Sequence, residues 1–268
     1  TYDADDPKRY LDSAGMDMRF RGMAIAGPKA ATVTLPTITA PTIVNADMEL
    51  TTGWTGGARS STYAHGGTYS WKLVTAEAYQ DLTWDANYKG GCFKFNCWAR
   101  GALDTAKVGI NDGVDTTYGS LNSVADAWVQ ITVVKKISAS ATRVRLLLNS
   151  TGAGDGYFDD ATLPTYPTMG VITANAGFND KLYISSGNVL LKQNTGGTGF
   201  DVIGSFAANI TDLEVFGPNL FIALGTSNAC WYMSTAEAFT ESTAAVNKFK
   251  YFKTVDAATP VLWGSDSD

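Results

Sequence analysis

The chain carries one histidine, His65, and three cysteines, Cys92, Cys97 and Cys230. That inventory restricts the available chemistry. Nucleophilic catalysis of the Ser-His-acid kind would have to pass through His65, which sits in the Gly-rich stretch His65-Gly66-Gly67, and a zinc site would have almost no His and Cys to draw on. The cysteines are odd in number and form no C-x-x-C pair. Cys92 and Cys97 lie five apart in one alternating run, so they face opposite sides and do not bridge; buried thiols are expected instead. Acids are numerous, and any two across a cleft would satisfy glycoside hydrolysis, so their number selects nothing. Asp112-Gly113-Val114-Asp115 and Gly154-Asp155-Gly156 read as turns, because no helix follows either as a phosphate loop would require.

Binding chemistry is better represented. In the run 92–100, Phe93, Phe95, Cys97 and Ala99 share one parity and are assigned to the core, while Lys94, Asn96, Trp98 and Arg100 share the other. An indole among amide and guanidinium groups suits a sugar, whose CH face stacks and whose hydroxyls form hydrogen bonds. Arg143 and Arg145 alternate with Val144, Leu146 and Leu148 and are expected to join that polar face, with Tyr118 reaching it from a loop. The candidate glycan set is therefore Trp98, Arg100, Asn96, Arg145 and Tyr118. The competing reading makes Trp98 an indole pinned by Arg on an ordinary exterior face, or one covered by a neighbouring domain. Trp71, Trp84 and Trp128 fall on inward positions and are assigned to the core, as is Trp54.

The elements that must hold these residues are strands. Apolar residues make up 45% of the 268 positions and charged residues 17%, enough to build a core and too few charges for a disordered chain. Apolar residues almost nowhere recur at helical spacing, and short alternating runs are separated by Gly, Asn, Asp and Thr, so the fold class is all-β. Lys and Arg number 20 against 26 Asp and Glu, a net charge of −6, which argues against nucleic acid or an anionic membrane as partner. No window approaches 18 uninterrupted apolar residues, so no membrane-spanning helix is expected.

Three regions follow. Residues 1–43 hold an acidic opening, a short alternating segment from Met18 to Met23, and a stretch with Pro28, Pro36 and Pro41 that reads as an extended arm or linker, since proline denies the backbone ladder donors. Residues 44–164 hold eight candidate strands, at 47–50, 69–74, 80–84, 92–100, 107–111, 128–134, 143–149 and 157–163, which predicts a two-sheet sandwich. In 165–268, Phe178-x3-Leu182-Tyr183-Ile184-x2-Gly187 recurs as Phe216-x3-Leu220-Phe221-Ile222-x2-Gly225, and a period near 40 predicts β-propeller-like blades, too few here to close a ring.

The middle region resembles a known family. Asn45-Ala46-Asp47-Met48-Glu49 with Gly53-Trp54, then His65-Gly66-Gly67-Thr68-Tyr69-Ser70-Trp71-Lys72-Leu73, then Phe93-x-Phe95-x-Cys97-Trp98-Ala99-Arg100, then Trp128, and finally Tyr157-Phe158-Asp159-Asp160-Ala161-x-Leu163 are similar in kind and order to carbohydrate-binding modules with a galactose-binding-like jelly roll. The resemblance implies an eight-stranded jelly-roll β-sandwich and a structural calcium bridging the first and last strands. Its ligands would be Glu49, the Thr68 carbonyl and Asp160, with Asp47 as a substitute. The alternative is that Asp159 and Asp160 are a metal-free solvated pair. With its low charge, Pro-Thr arm and partial propeller-like repeats, the whole chain resembles appendage proteins of phage and other virus particles. The expected function is a non-enzymatic structural and glycan-binding role at a virion surface or outside the cell, with other subunits of an assembly and surface glycans as partners. Two alternatives stand beside it: the carbohydrate-binding module of a secreted propeller-type enzyme, and a cell-surface adhesin or layer protein.

Overall fold

The computed structural model describes residues 33–152, 154–242, 248–255 and 261–265, together with a two-residue ladder between β1 (Met16–Asp17) and β2 (Ile25–Ala26). The expected alternating segment from Met18 to Met23 lies outside the described residues. Among those described, no helix is long and apolar enough to cross a membrane.

Nine strands build the sandwich: β3 (Ala58–Ser60), β4 (Ser70–Val74), β5 (Glu77–Asp81), β6 (Cys92–Arg100), β7 (Ala106–Asn111), β8 (Thr116–Tyr118), β9 (Val129–Lys136), β10 (Arg145–Ser150) and β11 (Asp155–Thr165). One sheet has the order β3-β4-β11-β6-β9 and the other β5-β10-β7-β8, and every ladder is antiparallel. The β6 parity holds along its whole length: Phe93, Phe95, Cys97 and Ala99 are fully buried against Val108, Ile110, Leu146 and Leu148 of the facing sheet. The Phe, Val, Ile and Leu side chains among them each contribute roughly 1.5–3 kcal/mol by leaving water.

Two of the strand expectations change. Residues 47–50 form no strand. The Asn45 amide instead accepts the Leu50 N–H at 2.7 Å and donates to the Leu50 and Thr52 carbonyls, curling the segment through left-handed backbone at Asn45 and Met48. Conversely β3 and β8 form at three residues each, too short and polar for alternation to reveal. Trp54 and Trp71 are core and Trp84 packs half-buried against it, but Trp128 is not core: it precedes β9 at the parity opposite to buried Ile131 and Val133, and lies on the outer surface. All three cysteines are free and buried.

A charge faces inward at one end of β9. Lys135 is 5% exposed; its ammonium pairs with Asp115 and lies 3.5 Å from Asp112, which is itself fully buried. The Asp112 carboxylate accepts the N–H groups of Val114, Asp115 and Ser138 at 2.9, 3.0 and 2.9 Å, tying the loop between β7 and β8 to the end of β9.

Residues 33–43 run extended across both regions. Thr34 bridges Gly199, the Tyr88 hydroxyl donates to the Thr39 carbonyl at 2.6 Å, and Thr39 N–H donates to Asp85 at 2.7 Å. Beyond the sandwich come two four-stranded meanders. The first joins β12 (Ile172–Phe178), β13 (Lys181–Ser186), β14 (Val189–Gln193) and β15 (Phe200–Ser205), and the second joins β16 (Asp212–Phe216), β17 (Asn219–Ala223), β18 (Trp231–Ser234) and β19 (Phe239–Glu241), each in sequence order. A hairpin of β20 (Tyr251–Val255) and β21 (Val261–Ser265) follows. The sequence repeat is thus one sheet per copy. Phe178, Tyr183 and Leu190 of the first pack against Leu213, Leu220 and Ile222 of the second. The same tie recurs between neighbours: the Thr173 hydroxyl donates to the Ile210 carbonyl and the Thr211 hydroxyl to the Lys250 carbonyl, both at 2.7 Å.

Burial opposes the Asp112 charge, but its three N–H donors and Lys135 outweigh that and hold its pKa down at about 2. Its stabilising contribution is present above the ordinary carboxylate pKa and is lost as pH falls through about 2. In acid titrations of unfolding, Asp112→Asn is expected to lower stability at neutral pH by about 2 kcal/mol and to flatten the loss between about pH 4 and pH 2. An unchanged acid limb would contradict this tie.

Candidate functional site: the two outer faces of the sandwich

The structure divides the expected glycan residues between two sheets. Asn96, Trp98 and Arg100 project from β6 on the outer face of the five-stranded sheet, as their parity requires. That face is roofed. The loop 61–69 lays the His65 ring on the Trp98 indole, with centroids 4.0 Å apart and planes at 15°, and Trp128 meets His65 edge-on at 5.7 Å. The Arg100 guanidinium lies 4.0 Å over the Tyr63 ring, which meets Tyr157 edge-on. Asn96 accepts the Thr132 hydroxyl at 2.9 Å. The loop is held by two acids at the end of the sheet: His65 Nδ1 is 2.6 Å from Asp160, and the N–H groups of His65 and Gly66 donate to buried Asp159 at 2.8 and 3.2 Å.

Arg145 and Tyr118 stand on the opposite sheet, so they do not join Trp98. The ladder register sets them in rows across the outer face of β5-β10-β7-β8. Asp81, Arg145, Asn111 and Thr116 form one row, Tyr79, Leu147, Gly109 and Tyr118 the next, and Glu77, Asn149 and Lys107 the third. Within this grid each polar group is aimed by another. Arg145 grips Asp81 with two bonds of 2.7 Å and lies 3.8 Å over the Tyr79 ring. The Arg145 bond holds the Asp81 carboxyl below its usual range, so Asp81 is an acceptor and not a proton donor. Arg143 donates to Asn111 at 2.9 Å.

Tyr118 lies across the sheet and donates its hydroxyl to Glu77 at 2.8 Å, with the Lys107 ammonium 4.2 Å over its ring. Burial and the Glu77 carboxylate push its phenol up to about 12. Leu147, outside the interlayer core, is nonetheless only 3% exposed on this face, and Gly109 is buried beside it. A side chain at Gly109 would meet the Tyr118 ring at 2.7 and 2.9 Å, so the ring can lie flat only over glycine. Asn149 donates to Glu77 at 3.3 Å, while its carbonyl oxygen is buried without a partner. Sequence reasoning missed Tyr79, Glu77, Lys107 and Asn149. Their signal is the alternation of β5, β7 and β10, which places them outward but does not say which strands are neighbours.

Of the expected metal ligands, Glu49 lies against Gly67 and Asp160 against Gly66. Glu49 Oε1 accepts the N–H groups of Thr68 and Tyr69 at 2.7 and 2.9 Å, and those bonds, that of Tyr69 foremost, hold its carboxyl low. A Cβ at Gly67 would run into Glu49 Oε1, and one at Gly66 would lie 2.9 Å from Asp160 Oδ2, so each glycine leaves room for one carboxylate. Asp47 is spent on the Glu49 N–H at 3.5 Å. Among the described residues no three Asp, Glu, His or Cys side chains gather as a metal cluster.

No protein-family model matches the chain, and no curated protein matches it. Among solved structures it is similar to a Family 16 Carbohydrate Binding Module-2, at 18% identity over 46% of this chain and 99% of that one with a TM-score of 0.37. It is also similar to TmCBM61 in complex with beta-1,4-galactotriose, at 15% identity over 47% of this chain and 98% of that one with a TM-score of 0.35. A third similar structure is the enzymatically active domain of Bacteriophage CBA120 tailspike protein 4, at 15% identity over 46% of this chain and 21% of that one with a TM-score of 0.36.

The Tyr118 ring over Gly109 gives a direct check. Gly109→Ala is expected to cost about 1–3 kcal/mol in denaturant unfolding by displacing the ring. In the background of Tyr118→Ala the same change is expected to cost little, because the space is then free. Additive costs in the double variant would contradict the packing.

Proposed function

We propose that the sandwich is a non-catalytic glycan-binding module and that the outer face of β5-β10-β7-β8 is its binding surface. One observation carries this reading: Tyr79, Leu147 and the Tyr118 ring laid over Gly109 form one row, with Arg145, Asp81, Asn149 and Lys107 in the adjoining rows. Aromatic faces next to fixed donors and acceptors match the alternating CH and hydroxyl surface of a sugar. The face around Trp98 is the weaker surface, because the hydrogen-bonded loop 61–69 lays His65 on the indole, whereas the Tyr79 and Tyr118 rings are covered only by the Arg145 and Lys107 side chains.

The chain is to be probed on a glycan array, with affinities of any hits measured by calorimetry. Tyr79→Ala is expected to weaken binding about tenfold or more, and Trp98→Ala to leave it unchanged. Failure of the unaltered chain to bind any glycan, or full binding by Tyr79→Ala, would overturn the assignment.

A structural calcium held by Glu49, Asp160 and the Thr68 carbonyl, all hard oxygen donors, is a further proposal, supported by the placement of the two carboxylates against the neighbouring Gly66 and Gly67. Its chemistry there would be cross-linking only, tying the start of the sandwich to β11. Calcium is expected to raise the unfolding midpoint of chelator-treated protein, and an unchanged midpoint would dismiss it. The virion setting and the reading of the meanders as propeller blades are likewise proposals. They are supported by the 38-residue repeat, by the recurring Thr tie between sheets, and by strand edges that another chain would cover. Sedimentation that finds only monomer would count against an assembly role.

A further inference from the structure

Where the sandwich meets the second meander, a cleft of about 250 Å3 opens between the end of β9 and the strands β18 and β19. Its chemistry comes from Lys136, Trp231, Glu241, Asn228 and Cys92. The Lys136 ammonium lies 4.0 Å over the Phe239 ring, 5.0 Å from that of Trp231 and 5.8 Å from that of Phe206. Lys136 is an exposed residue of the cleft lining, and none of the ion pairs among the described residues includes it. Ring faces stabilise a cation but do not neutralise it.

We propose that this seam is a second binding site, for a hydroxylated monocarboxylate the size of one sugar ring, such as a uronic acid unit. The volume lies below that of sites for larger organic ligands and admits a single ring rather than a chain. Half-buried Trp231 offers a face for the ring's CH groups, and the unneutralised ammonium offers a charge-assisted bond to its carboxylate. Glu241 at the rim accepts hydroxyls and repels a dianion such as phosphate. The groups facing Lys136 that titrate are the Cys92 thiol from β6, pushed up to about 11 by burial, and Glu241 from β19. Burial pushes Lys136 itself down to about 8, so it is largely charged at neutral pH and neutral well above that. The site stands apart from the Tyr79 face, on the other sheet and the neighbouring unit.

The test titrates D-galacturonate into the full chain by calorimetry at pH 7 and at about pH 9.5, with D-galactose as the neutral control. Galacturonate is expected to bind at pH 7 about tenfold or more tighter than galactose, and to weaken at the higher pH as Lys136 loses its proton. Lys136→Met is expected to abolish binding and Lys136→Arg to retain it, with thermal unfolding confirming that both fold. Tyr79→Ala is expected to leave it intact, which separates this site from the glycan face. Absence of saturable binding, equal affinity for galactose, full binding by Lys136→Met, or loss in Tyr79→Ala would each overturn the proposal.

Discussion

The packing of two sheets against one another fixes where every functional side chain on the sandwich can point. Phe93, Phe95, Leu146 and Leu148 cannot leave the interlayer core without exposing large apolar surface, and each strand alternates with a period of two. Once Leu146 and Leu148 face inward, Arg145, Leu147 and Asn149 must face out. The same constraint puts Tyr79 between buried Ala78 and Gln80, and Lys107 beside buried Val108. The binding surface is therefore a by-product of core parity, sharpened by the register that sets its rows.

The two outer faces take different fates from the same constraint. On the five-stranded sheet, Asp159 and Asp160 draw the loop 61–69 over the strands, and the lone histidine ends as a lid on Trp98. On the four-stranded sheet Tyr118, a side chain of the sheet itself, is laid over Gly109 and latched to Glu77, with Lys107 over its ring and Arg145 over that of Tyr79.

Much of this was legible in the residues. The run 92–100 is strand at both of its expected ends, and the 38-residue repeat becomes one four-stranded sheet per copy. What could not be read is pairing. Alternation assigns Arg145 and Trp98 to outward positions but carries no information on which sheet each strand joins, so residues of two faces were grouped as one. Trp128 shows the other limit: a one-residue uncertainty in where β9 begins reverses inside and outside. The curl at 45–52 follows from a single amide finding three local backbone partners, which no hydrophobic pattern records.

Because parity and register together create the sheet-face site, the most direct measurement is an amide NMR titration of the chain with a glycan that it binds. Shifts concentrated at Tyr79, Gly109, Tyr118, Leu147 and Asn149, with His65 and Trp98 unmoved, are the predicted result. Shifts centred on the loop 61–69 and on Trp98, with the four-stranded sheet silent, would contradict it.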